Sequence, residues 1–91
     1  MKQQRYVVYY CGRVQGVGFR YGVCRLSGKF QVKGFVRNLA DGRVQVVAEG
    51  QAEELDQFLE AIEGEMAGYI RSRELDQQEP SGEFKDFSLR G

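Results

Sequence analysis

The chain contains no histidine. That absence removes Ser–His and Cys–His activation of a nucleophile, and with it the commonest general base near neutral pH. Catalysis by such a chain has to rest on positioning and electrostatics. Cysteine is scarce: Cys11 and Cys24 are two thiols whose spacing matches no zinc pattern, which needs more ligands. They read as small, reduced, buried residues. No apolar stretch approaches the ~18 residues of a transmembrane helix, so no membrane association is expected. The opening Met1-Lys2-Gln3-Gln4-Arg5 leads straight into an alternating segment and does not resemble a signal peptide, which makes a cytoplasmic location the default expectation. Formal net charge is zero and no continuous basic run exists, which argues against non-specific nucleic-acid binding. Internal repeats and low-complexity segments are lacking too.

What is present fits one globular domain spanning residues 1–91, with 42% hydrophobic and 29% charged residues. The charges are unevenly placed. Residues 1–45 hold nine Lys/Arg and one acid, Asp41, whereas residues 46–91 hold four basic residues and twelve acids. Folding can keep the first half as a basic surface that concentrates anions, or interleave the halves into a mixed one.

Residues 6–12 are rich in β-formers and predict a central strand, with Tyr6, Tyr9 and Tyr10 as sheet-packing residues rather than stacking platforms. Phe19, Val23, Leu26 and Phe30 share one helical face, in a helix that contains Gly22 and Gly28. Strands are expected over residues 32–38 and 43–49, joined by an Asp41-Gly42 hairpin turn. Gly50 opens a second helix with Leu55, Phe58, Leu59 and Ile62 on one face and Gly64 as its stop. A weak strand over 69–77, a turn at Pro80-Ser81-Gly82 and a short strand over 84–90 complete the chain. The order β-α-β-β-α-β plus one short strand predicts an α+β sandwich of the ferredoxin-like kind, an antiparallel sheet with both helices on one face.

Between the first strand and the first helix lies Gly12-Arg13-Val14-Gln15-Gly16-Val17-Gly18-Phe19-Arg20, with three glycines and no acid. Glycine admits φ > 0 and lets the main chain approach a ligand. Successive N–H groups in such a turn, and the first-turn N–H groups of the following helix, favour an anion. Arg20 adds a planar fork of donors suited to phosphate. A glycine pair alone would equally fit a tight turn, and no Lys-Ser/Thr follows to make a nucleotide P-loop. Further on, Gly34-Phe35-Val36-Arg37-Asn38 precedes Gly42, Val44 and Gly50. The Asn38 amide both donates and accepts, so it can orient a water molecule, although asparagine also simply begins hairpins.

Together the two motifs span residues 12–50 and resemble the paired signatures of the acylphosphatase family. The resemblance implies hydrolysis of acyl phosphates to carboxylate and inorganic phosphate, without metal or cofactor. It assigns phosphate binding to Gln15, Gly16, Val17, Gly18, Phe19 and Arg20, and places Arg20 and Asn38 in catalysis, Asn38 positioning the attacking water. The implied partner is a small-molecule acyl phosphate, with no nucleic acid and no membrane, acted on by a monomer. A non-hydrolysing phosphate-binding module is the other reading. Three places depart from the family pattern: Gln31 where glycine is frequent, Met66-Ala67-Gly68-Tyr69 after the second helix, and the Arg90-Gly91 end.

Overall fold

A computed structural model describes residues 2–90. Its elements are β1 (Gln3–Gly12), α1 (Phe19–Ser27), β2 (Lys33–Asn38), β3 (Val44–Gln51), α2 (Ala52–Glu65), β4 (Ile70–Gln78) and β5 (Phe87–Arg90), in that order. The sheet runs β4-β1-β3-β2-β5. The first four strands in that row pair antiparallel, whereas β5 pairs parallel with β2. The all-antiparallel expectation therefore holds for four strands. The fifth is parallel because the chain returns from β4, at one edge, to the opposite edge before pairing.

Alternation within the strands decides which side each residue serves. Tyr6, Val8 and Tyr10 of β1, Val36 of β2, and Val44, Val46 and Ala48 of β3 face the helices and join one core. Phe19, Val23 and Leu26 of α1 and Leu55, Phe58, Leu59 and Ile62 of α2 complete it. Burying each of these side chains is worth about 1.5–3 kcal/mol, so three of them outweigh the ~1 kcal/mol that Gly22 costs the helix. Gly22 also has a packing reason, since an added Cβ would collide with the Met66 methyl of the facing helix end. Val7, Phe35 and Val47 point the other way and pack with Tyr9 and Phe84.

Several sequence boundaries shift. Helix α1 stops at Ser27, with Gly28 as its cap rather than inside it. Phe30 lies beyond the helix and still reaches the core, 6.0 Å from the Phe58 ring centroid. Gly50 belongs to β3, where it pairs with Gln4; a Cβ there would stand 2.7 Å from the Gln31 carbonyl, so the glycine serves close packing, not helix initiation. Helix α2 passes through Gly64 to Glu65, and the buried Met66 caps it by an N–H bond to the Ile62 carbonyl. The last strand begins at Phe87, because Phe84 turns to the other face and packs edge-on against Phe35.

The tyrosines on the helix side pack as expected and also find partners. The Tyr6 and Tyr10 hydroxyls donate to Asp56 (2.8 Å) and Glu63 (3.0 Å). Cys11 and Cys24 are free thiols but only half-buried. The two charge halves interleave, Arg5 pairing with Glu49 and Glu83, and Arg25 with Glu65.

Candidate active site

The β1–α1 loop and the end of β2 meet at one end of the sheet. Gly16 and Gly18 both have φ +77°, and a Cβ on either would meet nothing within 4 Å. Their conformation is therefore demanded by the turn, while the space above them stays open. Gly18 is the N-cap of α1; it offers no side-chain cap, and no acid stands in the helix's first turn. The first-turn N–H groups, which have no intrahelical partner, and the positive end of the dipole thus face that space.

A hollow of about 250 Å³ lies there, lined by Val14, Gly16, Gly18, Phe19, Arg20, Tyr21 and Asn38. No carboxylate is among them. Asn38 enters from the helix side of β2, and its Oδ1 is the one buried side-chain polar atom among the described residues without a hydrogen-bond partner. Leaving such a group unpaired costs roughly 1–3 kcal/mol, so it marks either strain or a place reserved for a ligand. Arg20 is half-buried, and its Nη1 donates to the Arg90 carbonyl at 2.9 Å. The last described residue of the edge strand thereby fixes the guanidinium over the hollow.

The structure sorts the expected site residues. Gly16, Gly18, Phe19, Arg20 and Asn38 converge. Phe19 contributes main chain alone, since its ring is buried against Tyr10, 5.6 Å between centroids. Val17 stands exposed outside the lining. Gln15 turns toward the β2–β3 hairpin, its Nε2 donating to the carbonyls of Leu39 (2.8 Å) and Arg43 (3.0 Å). That amide ties the glycine loop to the hairpin carrying Asn38, so its side chain sets the distance between the two motifs. Two lining residues escaped the sequence reading. Val14, 1% exposed, forms the floor, and Tyr21, 71% exposed, stands at the mouth. The signal available for Tyr21 was its place one residue after the arginine, off the stripe formed by Phe19, Val23 and Leu26.

Near the hollow, burial pushes the Cys24 thiol above its ordinary range and the Arg20 charge opposes that shift. Among the described residues no three His, Cys, Asp or Glu side chains converge as a metal site. Among the same residues no helix is long and apolar enough to cross a membrane.

A glycine turn feeding a helix without a side-chain cap, with an arginine and an unpaired amide oxygen beside it, is thus set at one end of an α+β sandwich. The family model "Acylphosphatase" matches residues 6–89. A curated acylphosphatase of Paenarthrobacter aurescens is 40% identical over 79 residues, covering 86% of this chain and 84% of the relative. Another, from Koribacter versatilis, is 39% identical over 89 residues, covering 97% and 79% respectively. The crystal structure of acylphosphatase from Bacillus subtilis superposes with a TM-score of 0.86 at 31% identity, over 97% of this chain and 99% of that one. The chain belongs to the acylphosphatase family.

Proposed function

We propose that the chain hydrolyses acyl phosphates by holding the phosphoryl group on the 16–20 loop while Asn38 orients the attacking water. The observation that carries this reading is the unpaired Asn38 Oδ1, which borders the same acid-free hollow as Gly16, Gly18 and Arg20. Main-chain N–H groups from the loop and the α1 N-terminus take the phosphoryl oxygens, and the Arg20 fork takes the charge that grows on them. Asn38 Oδ1 accepts a hydrogen bond from water on the side opposite the acyl group, so attack is in line. The water oxygen bonds to phosphorus, the phosphorus–oxygen bond to the acyl group breaks, and the carboxylate leaves with its electron pair. It needs no general acid, because it is stable as an anion. The water proton passes to a phosphoryl oxygen, which suits a loose transition state and a chain without histidine. Gln15 acts as a positioning residue through the hairpin, and Val17 through its main chain.

In this reading the chain is a monomeric, cytoplasmic, single-domain enzyme that needs neither metal nor cofactor. The family match over residues 6–89 supports the single domain. The test is phosphate release from a small acyl phosphate, with and without chelator, by the parent chain and Arg20→Ala. Turnover unaffected by chelator and lost in the variant is expected. Phosphate binding without release would instead favour the non-hydrolysing module, and turnover abolished by chelator would refute the metal-free mechanism.

A further inference from the structure

Adjacent residues of β2 serve opposite faces of the sheet. Asn38 looks into the hollow beside α1, while Arg37 lies on the face the helices leave open. There the parallel register of β2 and β5 sets Arg37 directly against Arg90. Both guanidiniums sit over the same ring, their central carbons 5.7 Å and 3.9 Å from the centroid of Phe35. Like charges directly opposite on a sheet repel, and the rings beneath can offset only part of that. Among the described residues no carboxylate lies within ion-pair distance of either one; the pairs that form engage Arg5, Arg25, Arg43 and Arg73.

Arg37 is also held in place. Its Nε donates to Gln45 Oε1 at 2.6 Å, and Gln45 Nε2 donates to the Tyr9 hydroxyl at 3.2 Å. Gln45 is 8% exposed, so this support is fixed and leaves the Arg37 Nη edge outward. The hollow beside the pair measures about 310 Å³, and its one carboxylate, Glu83, is taken by Arg5 at 2.8 Å.

We propose that Arg37 and Arg90 form a second oxyanion site, on the sheet face opposite the helices, which takes a phosphate-sized dianion. Two planar forks fit the several oxygens of such a group, and its double charge cancels the repulsion between them. Phe35 is only 9% exposed under the arginines and leaves no open ring for a base, so the site reads the anion alone. The site stands on geometry independent of the catalytic reading.

The experiment is a titration of ¹⁵N-labelled protein with inorganic phosphate, followed by amide and arginine Nε–H resonances. Two groups of shifts are expected, one over residues 16–20 and one over 35–37, 45 and 88–90, with separate midpoints. Arg37→Gln should weaken the second group tenfold or more and leave the first in place; Arg90→Gln, which keeps the main-chain carbonyl, should do the same. Shifts confined to residues 16–20, or a sheet-face response equal in the parent and both variants, would overturn the proposal. An Arg20→Ala protein in which the 16–20 group persists unchanged would count against the catalytic assignment without touching this one.

Discussion

The two ends of the sheet treat buried polar groups in opposite ways. At the end near β1's start, Glu49 is 7% exposed and fully engaged. It accepts from Arg5 Nε (2.8 Å), the Ser81 N–H (2.8 Å), the Ser81 hydroxyl (2.9 Å) and the Gly82 N–H (3.0 Å). This carboxylate pins the 79–86 connection as it crosses from the β4 edge to the β5 edge. At the other end, the Asn38 oxygen has no partner, and the glycines below it bear open space. One buried group is spent on the fold and the other is held back from it. The difference separates an end that the fold has closed from one that the proposed function leaves for the substrate.

The largest expected effect breaks the open end. Arg20→Ala should lower kcat/KM by about 10²–10³-fold or more, by analogy with loss of one preorganised donor. Arg20→Lys should fail too, since a point charge cannot replace the fork. Stability by urea melting should change little in either, because among the described residues the Arg20 side chain bonds the fold through the exposed Arg90 carbonyl alone. A variant that unfolds readily while its turnover per folded molecule survives would put Arg20 with the structural end instead.

Asn38→Ala sharpens the contrast further. It should cut kcat by about 10²-fold, with a smaller effect on phosphate affinity. Because Oδ1 has no partner to lose, the folded state should be no less stable, or more stable by up to about 1 kcal/mol. A large KM rise at unchanged kcat would refute the water-positioning role.

Glu49→Gln probes the closed end and should show the reverse pattern, near-parental kcat with lower stability. Arg5, half-buried, would lose the buried one of its two charged partners and keep the exposed Glu83, and the connection would lose its strongest acceptor; a cost of about 2 kcal/mol is expected, below the figure for a fully buried pair. The pH dependence follows from the same contacts. Burial alone would raise the Glu49 pKa, but the Ser81 and Gly82 N–H groups, the Ser81 hydroxyl and Arg5 outweigh it and hold it below its ordinary value. A depressed folded-state pKa stabilises the fold above the unfolded value, roughly 4.3 for glutamate, and the contribution is lost as pH falls through the folded value. Parent and variant should therefore differ at pH 7 and converge in acid, as read by denaturant midpoints.

The open end was the more legible in sequence, and the reason is distance along the chain. Gly16, Gly18 and Arg20 lie within five residues, so turn, helix start and fork could be read together. Asn38 came from a second motif of the same family signature. What sequence could not supply were partners tens of residues away. The Arg90 carbonyl beneath Arg20 depends on β5 pairing parallel at the far edge, and the Gln15 clamp depends on how the hairpin docks. Gly50 and Gly64 read as punctuation in the sequence because a glycine needed for close packing, or tolerated in a helix, looks the same as one that ends an element. Met66, outside the family pattern, proves to be core: its methyl fills the space over Gly22.

A smaller effect tests the glycines themselves. Gly18→Ala asks an L-residue to hold φ +77°, which costs about 1 kcal/mol even though space for the Cβ exists. If the conformation serves the anion and not the packing, phosphate affinity should fall several-fold while the urea midpoint moves only by that strain. Gly34→Ala makes the control at a structural glycine, because its Cβ would run into the Val47 carbonyl of the neighbouring strand. That variant should lose stability far more than affinity per folded molecule.

The smallest expected effect is none at all. The catalytic reading uses no group that titrates near neutrality, and the thiol that feels the Arg20 charge, Cys24, is pushed upward by burial against that pull. Between about pH 6 and 8 it stays protonated, given an ordinary thiol value near 8.5. The profile of kcat/KM should then be flat across that range, and Cys24→Ser should leave it flat. An inflection near 7 that vanishes in Cys24→Ser would assign the open end a thiolate nucleophile, and with it a phosphorylated cysteine in place of the ordered water. One that survives the substitution would leave Cys11, the second thiol, to be tested in the same way.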